Sequence, residues 1–392
     1  MTGQHKDRSH SLLSPSGAHR WLKCTKSALL EEQFPDTDSS AAAEGTLAHE
    51  IAEIKVRGYF FKAEWTKRKV TMAINKKKKE PLYQEEMLGY TDDYLEEIKR
   101  VALSFQSTPA VAIEEEFDLS MYIPEAHGSP DCVLVHQGEI HIFDFKYGKG
   151  VPVSAVDNPQ LKLYALGAYE KYKFIYSIDD VVLHIVQPRL DNYSSWSVSS
   201  KDLLDFGAYA RERAGIALEG GGTFAPDADV CRFCRARAVC RARAEKNVQM
   251  AFLTDRKPDT LSDEEIGSYL IKGEDISSWL KDIKEYALSA CLAGRDIPGW
   301  KAVEGRKTRK WTDQDAAFSA LMKSGIDEAV LYNREPVSLA AAEKIVGKKD
   351  FSSIVGAYID TPPGKPTLVK ASDKREAVTN VSKAKEAFGL DK

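Results

Sequence analysis

Two hydrophobic periods divide the chain. From about residue 110 to 199, apolar positions alternate or run in short unbroken blocks. "AVAIEEEFDLSM", "DCVLVHQ" and "EIHIFDFKYG" predict three strands, "NPQLKLYALGAYEKY" a helix, and "DVVLHIVQP" and "SSWSVSS" two further strands. Upstream the period is helical. "SPSGAHRWLKCTKSALLEEQF" begins a short helix carrying Cys24, and after the polar, alanine-rich "PDTDSSAAAEG" the segment "TLAHEIAEIKVRGYF" puts Leu47, Ile51, Ile54 and Val56 on an amphipathic helix, with His49 and Glu53 one above the other. "EPLYQEEMLGYTDDYLEEIKRVALSFQ" is a long helix with an acidic solvent side. Helix, three strands, helix, strand is the order of an α/β sandwich with a mixed central sheet flanked by helices.

Beyond about residue 250 the pattern is mostly helical again. Ser262 and Glu265 are placed as a capping box at the head of "LSDEEIGSYLIKGEDISSWLKDIKEYALSACLAG". "WKAVEGRKTRKW" reads as a basic hairpin, two shorter helices follow at about 312–324 and 337–346, and the Pro- and Lys-rich "DTPPGKPTLVKASDKREAV" reads as extended. A chain of 392 residues exceeds one typical core. The expected organisation is a mobile N-terminus over 1–13, an α/β domain over 14–250 and a mostly helical region over 251–392, with no internal repeat.

Composition narrows the function classes. No apolar run approaches the roughly 18 residues of a membrane span, and the start "MTGQHKDRSH" lacks the apolar stretch of a signal peptide, so no membrane role and a cytoplasmic location are expected. The net charge of −4 gives no global attraction to nucleic acid, which leaves local patches. One runs over Lys67, Arg68, Lys69 and Lys76 to Lys79, either a solvated loop or a contact surface. The other gathers Arg232, Arg235, Arg237, Arg241, Arg243 and Lys246 against Glu245. Six cysteines in a cytoplasmic chain are core fillers, ligands or nucleophiles rather than a disulfide framework.

The stretch "GSPDCVLVHQGEIHIFDFKYGKG" has the pattern of a hairpin in which each strand carries an aspartate at an inward position. With its tip at Gln137-Gly138, His136 faces Glu139 and Asp131 falls opposite Asp144, with Cβ atoms about 5 Å apart. Facing carboxylates cost stability unless a cation lies between them. A divalent Mg2+ or Mn2+ bound through oxygen fits. Lys146 shares the face of Asp144, Ile142 and Ile140, where it can orient or deprotonate a water, so the set suits metal-assisted phosphodiester hydrolysis.

Downstream stand Gln160 and Tyr164 in "QLKLY", and upstream His49 in "EGTLAHE". With Asp131 in "GSPD" and Asp144 and Lys146 in "DFK", this order of elements resembles a RecB-type nuclease of the PD-(D/E)XK superfamily. The resemblance implies a PD-(D/E)XK core. It further implies that His49, Asp131, Asp144 and the Phe145 carbonyl hold the metal, that Lys146 positions the attacking water, and that Gln160 and Tyr164 order the site. Glu114, Glu115 or Glu116 offers a further carboxylate, and the sequence does not choose among them.

The cysteines match independently. Cys24, followed far downstream by Cys231, Cys234 and Cys240 in a C-x2-C-x5-C pattern, resembles the iron-sulfur RecB-type nucleases of AddB, CRISPR-adaptation and helicase-nuclease proteins. That resemblance implies a 4Fe-4S cluster joining the two ends of the nuclease domain. Zn2+ is the competing ion, since four thiolates bind it equally well, but a zinc ribbon usually brings two local C-x2-C pairs and this chain has one. Cys132 and Cys291 fall outside the pattern and read as buried apolar residues. Thr25 follows Cys24 where such nucleases often have proline. More loosely the whole chain resembles a phage and prophage nuclease family encoded beside single-strand annealing proteins. The expectation is a metal-dependent DNA exonuclease serving phage recombination or replication, acting on single-stranded DNA or duplex ends in a bacterial or phage-infected cell. The alternative is a non-catalytic iron-sulfur DNA-binding subunit that recruits an annealing protein or helicase.

Overall fold

The computed structural model describes residues 11–35, 40–251, 262–303 and 313–324, with shorter stretches between 327 and 359. Contacts divide the chain into Met1–Val303 and Glu304–Lys392.

In the first unit the strands are β1 (Ala110–Ile113), β2 (Phe117–Asp118), β3 (His127–Gly128), β4 (Cys132–His136), β5 (Glu139–Phe145), β6 (Asp180–Gln187) and β7 (Asn192–Ser199). Five of them form a mixed sheet in the order β1-β4-β5-β6-β7, and β2 pairs with β3 in a two-stranded ribbon. The β4–β5 hairpin closes through Gln137 and Gly138, both at positive φ (38° and 93°), the backbone of a two-residue turn whose twist matches the strands. β5 and β6 run parallel. Parallel strands need a long crossover, here helix α6 (Pro159–Tyr172), whose first turn Asn158 caps by accepting from the Leu161 N–H. β4 is buried along its whole length, because helices cover both faces of the sheet.

The remaining helices of this unit are α1 (Ala18–Trp21), α2 (Ser27–Glu31), α3 (Ser40–Phe60), α4 (Lys67–Lys77), α5 (Glu86–Ala102), α7 (Ser200–Leu218), α8 (Ala228–Arg232), α9 (Arg241–Ala251) and α10 (Asp263–Leu292). On one face of the sheet Val133, Val135, Ile140, Ile142, Leu183 and Ile185 pack with Leu161 and Ala165 of α6 and Leu203 and Ala210 of α7. On the other, Cys132, Leu134, Phe143 and Phe145 pack with Leu47 and Ile51 of α3 and Tyr94 and Ile98 of α5. Arg189, just past β6, pairs with Glu44 of α3 at 3.0 Å and Glu86 of α5 at 2.7 Å and stacks on Tyr147 at 4.4 Å, which fixes the two helices against the end of β5.

Several elements differ from expectation, each for a local reason. α3 opens at Ser40, so "AAAEG" lies within the helix; alanine is the best helix former and extends it. The lysine run is helix α4 rather than a loop, capped by Thr66. Cys24 sits in the turn between α1 and α2, where its N–H donates to the Arg20 carbonyl at 2.8 Å, not on a continuous helix. Leu13 is buried in the core although residues 1–13 read as mobile. α10 opens with the expected capping box of Ser262 and Glu265. It belongs with the first unit, because Arg243 is buried against its Asp282 (2.6 Å) and Asp275 (3.2 Å); the division therefore falls at 303–304 rather than at 250. Cys132 is fully buried as expected, whereas Cys291 on α10 is only half-buried.

The second unit contains helices α11 (Gln314–Lys323), capped by Asp313, and α12 (Lys348–Val355). Most of the expected basic hairpin, most of the helix at 337–346 and the Pro- and Lys-rich end lie outside the described residues. Among the described residues no helix is long and apolar enough to cross a membrane.

Candidate metal centre and cysteine cavity

The β4–β5 ladder pairs Cys132 with Phe143 and His136 with Glu139. This is the register that places Asp131 and Asp144 opposite each other one step beyond the ladder. Strand parity puts Asp144 and Lys146 on the face of Ile140 and Ile142, beneath α6. Asp131 turns inward: its Oδ2 accepts from the Phe145 N–H at 2.5 Å, and its Oδ1 lies 2.9 Å from His49 Nδ1. His49 comes from α3 on the opposite layer and packs its ring against Phe145 at 5.2 Å. The centre thus lies at the end of the sheet, where His49 reaches it from the helical layer opposite α6.

The third donor is Glu114. One ligand atom each from His49, Glu114 and Asp131 lies within 4.8 Å of the other two, an arrangement able to hold a metal ion. β1 pairs Ile113 with Cys132, so Glu114 is the next residue and its N–H donates to the Asp131 carbonyl at 3.2 Å. Its φ of 48° is in the left-handed region that a glutamate seldom adopts, a conformation that recurs at functional sites. The run Glu114-Glu115-Glu116 hid this choice. Glu115 pairs with Lys171 and Glu116 lies 3.6 Å from His127.

A second network joins β5 to α6. Gln160 Nε2 donates to Asp144 Oδ1 at 3.2 Å and to Tyr164 Oη at 3.1 Å, while its Oε1 accepts from Lys146 Nζ at 3.2 Å. Lys146 Nζ also lies 2.9 Å from Asp144 Oδ2, an ion pair by distance whose angle falls short of a hydrogen bond, so the buried Oδ2 keeps lone pairs to offer. Gly128 explains how Tyr164 fits: a Cβ there would stand 2.8 Å from the tyrosine ring, so the glycine of "GSPD" is the surface on which the ring lies. Phe145 is placed by its N–H bond to Asp131, and its side chain is buried against Tyr94 at 4.9 Å.

Three carboxylates share this site with two cations. Burial works against charge on every member. It raises Glu114, and the Asp131 carboxylate adds to the effect, so that Glu114 stands at about 8. Burial would lower His49, but the Asp131 carboxylate outweighs it and holds His49 at about 9, although a third of the side chain meets solvent. Burial would raise Asp131, and His49 reverses this, keeping it below its ordinary range. Burial raises Asp144 despite Lys146, and Lys146, which burial would lower, is held above its ordinary range by Asp144. Asp144 therefore favours the charged form of Lys146.

The four cysteines meet elsewhere in the same unit. Cys24, Cys231, Cys234 and Cys240 line one small cavity, closed by Leu30, Phe224 and Val230 and edged by Arg20 and Arg237. Burial raises the Cys24 thiol and pushes those of Cys231 and Cys234 to about 11 and 12. The Ala225 N–H donates to Cys24 Sγ at 3.4 Å. Thr25 pins the facing segment, its hydroxyl accepting from the Thr223 N–H at 3.0 Å, and a Cβ at Gly222 would overlap that hydroxyl at 1.9 Å. The Thr25 hydroxyl thus holds this turn. The arginines are only partly a free surface: Arg243 is buried, Arg237 and Arg243 bind Asp282 of α10, and Arg232 lies 3.5 Å from Asp229.

The chain matches, over residues 10–376, the family described as "Protein of unknown function (DUF2800)", and it belongs to that family. Among solved structures it is similar to one described as "Crystal structure of SSO0001", at 13% identity over 57% of this chain and 96% of that chain, with a TM-score of 0.25. At that score the likeness carries nothing about fold or activity.

Proposed function

We propose that this DUF2800 member is a divalent-cation-dependent deoxyribonuclease with a RecB-type PD-(D/E)XK core. The observation that carries the reading is the convergence of His49, Glu114 and Asp131 within ligand distance beside the Asp144–Lys146–Gln160 network. These residues fit Mg2+ or Mn2+: oxygen donors dominate, one imidazole joins them, and Asp144 Oδ2 is a buried acceptor with room for a further bond. When bound, the cation supplies positive charge to a phosphodiester oxygen and acidifies a water.

The chain's own residues do the rest. Asp131, fixed by the Phe145 N–H, presents its second oxygen to the site rather than to solvent. Gln160 spends its amide on Asp144 and Tyr164 and its carbonyl on Lys146, which holds the ammonium at the mouth of the pair. Lys146, protonated and 27% exposed, is the group able to reach a scissile phosphate and the water that attacks it. Tyr164, seated on Gly128, keeps α6 in place above the strand ends.

The cysteine cavity supports a companion reading, a 4Fe-4S cluster on Cys24, Cys231, Cys234 and Cys240. Their convergence from segments far apart in the chain and the cationic rim of Arg20 and Arg237 suit a set of thiolates. Iron and acid-labile sulfide in anaerobically purified protein favour the cluster, and a colourless zinc-containing preparation favours the other metal.

The activity is tested by incubating the full chain with 5′- and 3′-labelled single- and double-stranded DNA and Mg2+ or Mn2+. Degradation that requires the cation is expected, with single strands or resected ends preferred. Protein that binds DNA and leaves every substrate intact with either ion would replace this reading with a non-catalytic subunit.

A further inference from the structure

Helix α4 buries none of its side chains, and residues 67–79 contain no acid. Such a helix contributes little to a core, so what holds it in place is informative. Two of the contacts that do so are to α3. Val70 fills the space left by Gly58, where a Cβ would come within 2.7 Å of its methyl, and Lys77 Nζ pairs with Glu50 Oε2 at 2.7 Å. Glu50 is the neighbour of His49, so the C-terminal end of α4 lies beside the turn of α3 that supplies the metal centre.

The cations of α4 and the turn after it fall into two groups. Lys77 and Lys78 pair with Glu50 and Glu85, and Lys69 folds back over the Trp65 ring at 4.3 Å. Among the described residues, Lys67, Arg68, Lys76 and Lys79 have no carboxylate within salt-bridge distance. Lys67 and Arg68 are neighbours at one end of α4, and Lys76 and Lys79 lie three apart at the other, so each end gathers like charge that an anion would offset. Met72, 63% exposed, is the single large apolar side chain on α4 that stands far out of the surface, too little to insert into a bilayer.

The geometry points to α4 as a track for the phosphate backbone of single-stranded DNA, leading toward His49; the inference rests on the nuclease reading above. Eleven residues span about 16 Å, the charges lie at both ends of that span, and Met72 between them offers a surface against which an unpaired base can lie. An acidic protein would meet the same charges, but nothing would then account for the attachment of α4 to the helix that bears the metal ligand.

The test is fluorescence anisotropy of a labelled 20-nucleotide single strand with the full chain in EDTA, where no cleavage occurs, across a salt series. The quadruple variant K67Q/R68Q/K76Q/K79Q changes only exposed cations of α4 and the turn after it, and unchanged circular dichroism and Tm verify its fold. It should bind about 100-fold more weakly at low salt. The slope of log K against log salt should fall by about 3, at roughly 0.7 per lost phosphate contact. The charge-retaining K67R/K76R/K79R variant should bind like wild type. Unchanged affinity and slope in the quadruple variant would overturn the inference, as would polyglutamate or anionic vesicles competing as well as the oligonucleotide. Wild-type hydrolysis of a short chromogenic thymidine phosphodiester with Mn2+ decides the nuclease reading separately.

Discussion

Lys146→Met protein should hydrolyse labelled single-stranded DNA about 1000-fold more slowly than wild type in Mn2+ while binding the ion almost as tightly. Methionine keeps the length and volume of the side chain and removes its charge. Nζ lies 2.9 Å from Asp144 and 3.2 Å from Gln160, in a pocket where Asp144 is buried. A donor held this firmly in a region of poor solvation costs little reorganisation when charge develops on a phosphate, and loss of one such donor typically costs 100- to 1000-fold. The ligand atoms of His49, Glu114 and Asp131 do not depend on it. Asp144 loses its cation in the variant and rises further, but it can accept a proton, so the fold survives. Single-turnover rates measured beside Mn2+ affinity separate the two effects. Activity within a few-fold of wild type would remove Lys146 from the chemistry.

The largest effect on stability is expected at Cys24. Cys24→Ala should lower the unfolding free energy of the metal-loaded protein by about 5 kcal/mol, read from urea midpoints. A cross-link between Cys24 and Cys231 closes a loop of roughly 200 residues, and the entropy withheld from the unfolded chain by such a loop is of that size. The same variant should lose the metal proposed for this cavity, since only three of the four sulfurs that line it remain. Without metal the protonated thiols, at about 11 and 12 for Cys231 and Cys234, behave as small apolar groups, so in metal-free protein the substitution should cost only the lost packing of one sulfur. A Cys24→Ala protein with wild-type metal content and stability would show that the cysteines are mere core residues.

Much of this arrangement was legible in the sequence because it is local. The two-residue turn at Gln137-Gly138 sets the hairpin register, and with it the opposition of Asp131 and Asp144. The sharing of one face by Asp144 and Lys146 follows from the period of a strand. Gln160 and Tyr164 are one helical turn apart, which is why a single amide reaches both Asp144 and the tyrosine.

What escaped was decided at long range. Glu114 is selected from three adjacent glutamates by the pairing of β1 with β4, which no tight turn specifies. α7 was not foreseen, since beyond Leu203 its buried stripe is Gly207, Ala210, Ala214 and Ala217, small residues with little hydrophobic contrast. Arg243 looked like part of a phosphate-binding surface until α10 brought Asp275 and Asp282 to it.

The central claim is that His49, Glu114 and Asp131 hold a divalent cation, and a calorimetric titration of Mn2+ into the metal-free chain tests it most directly. At pH 7 His49 (about 9) and Glu114 (about 8) both carry protons that a bound cation must displace. Binding should therefore release up to about two protons, visible as a heat that varies with the buffer's ionisation enthalpy, and should tighten steadily from pH 6.5 to 8.5. Both groups hold their protons above their ordinary ranges, so over the same window the metal-free fold retains protons that the unfolded chain gives up, and its stability falls as the pH rises. Mn2+ should restore that stability more at pH 8.5 than at 6.5. Binding that releases no protons, or that is as tight in Asp131→Asn protein as in wild type, would contradict the account.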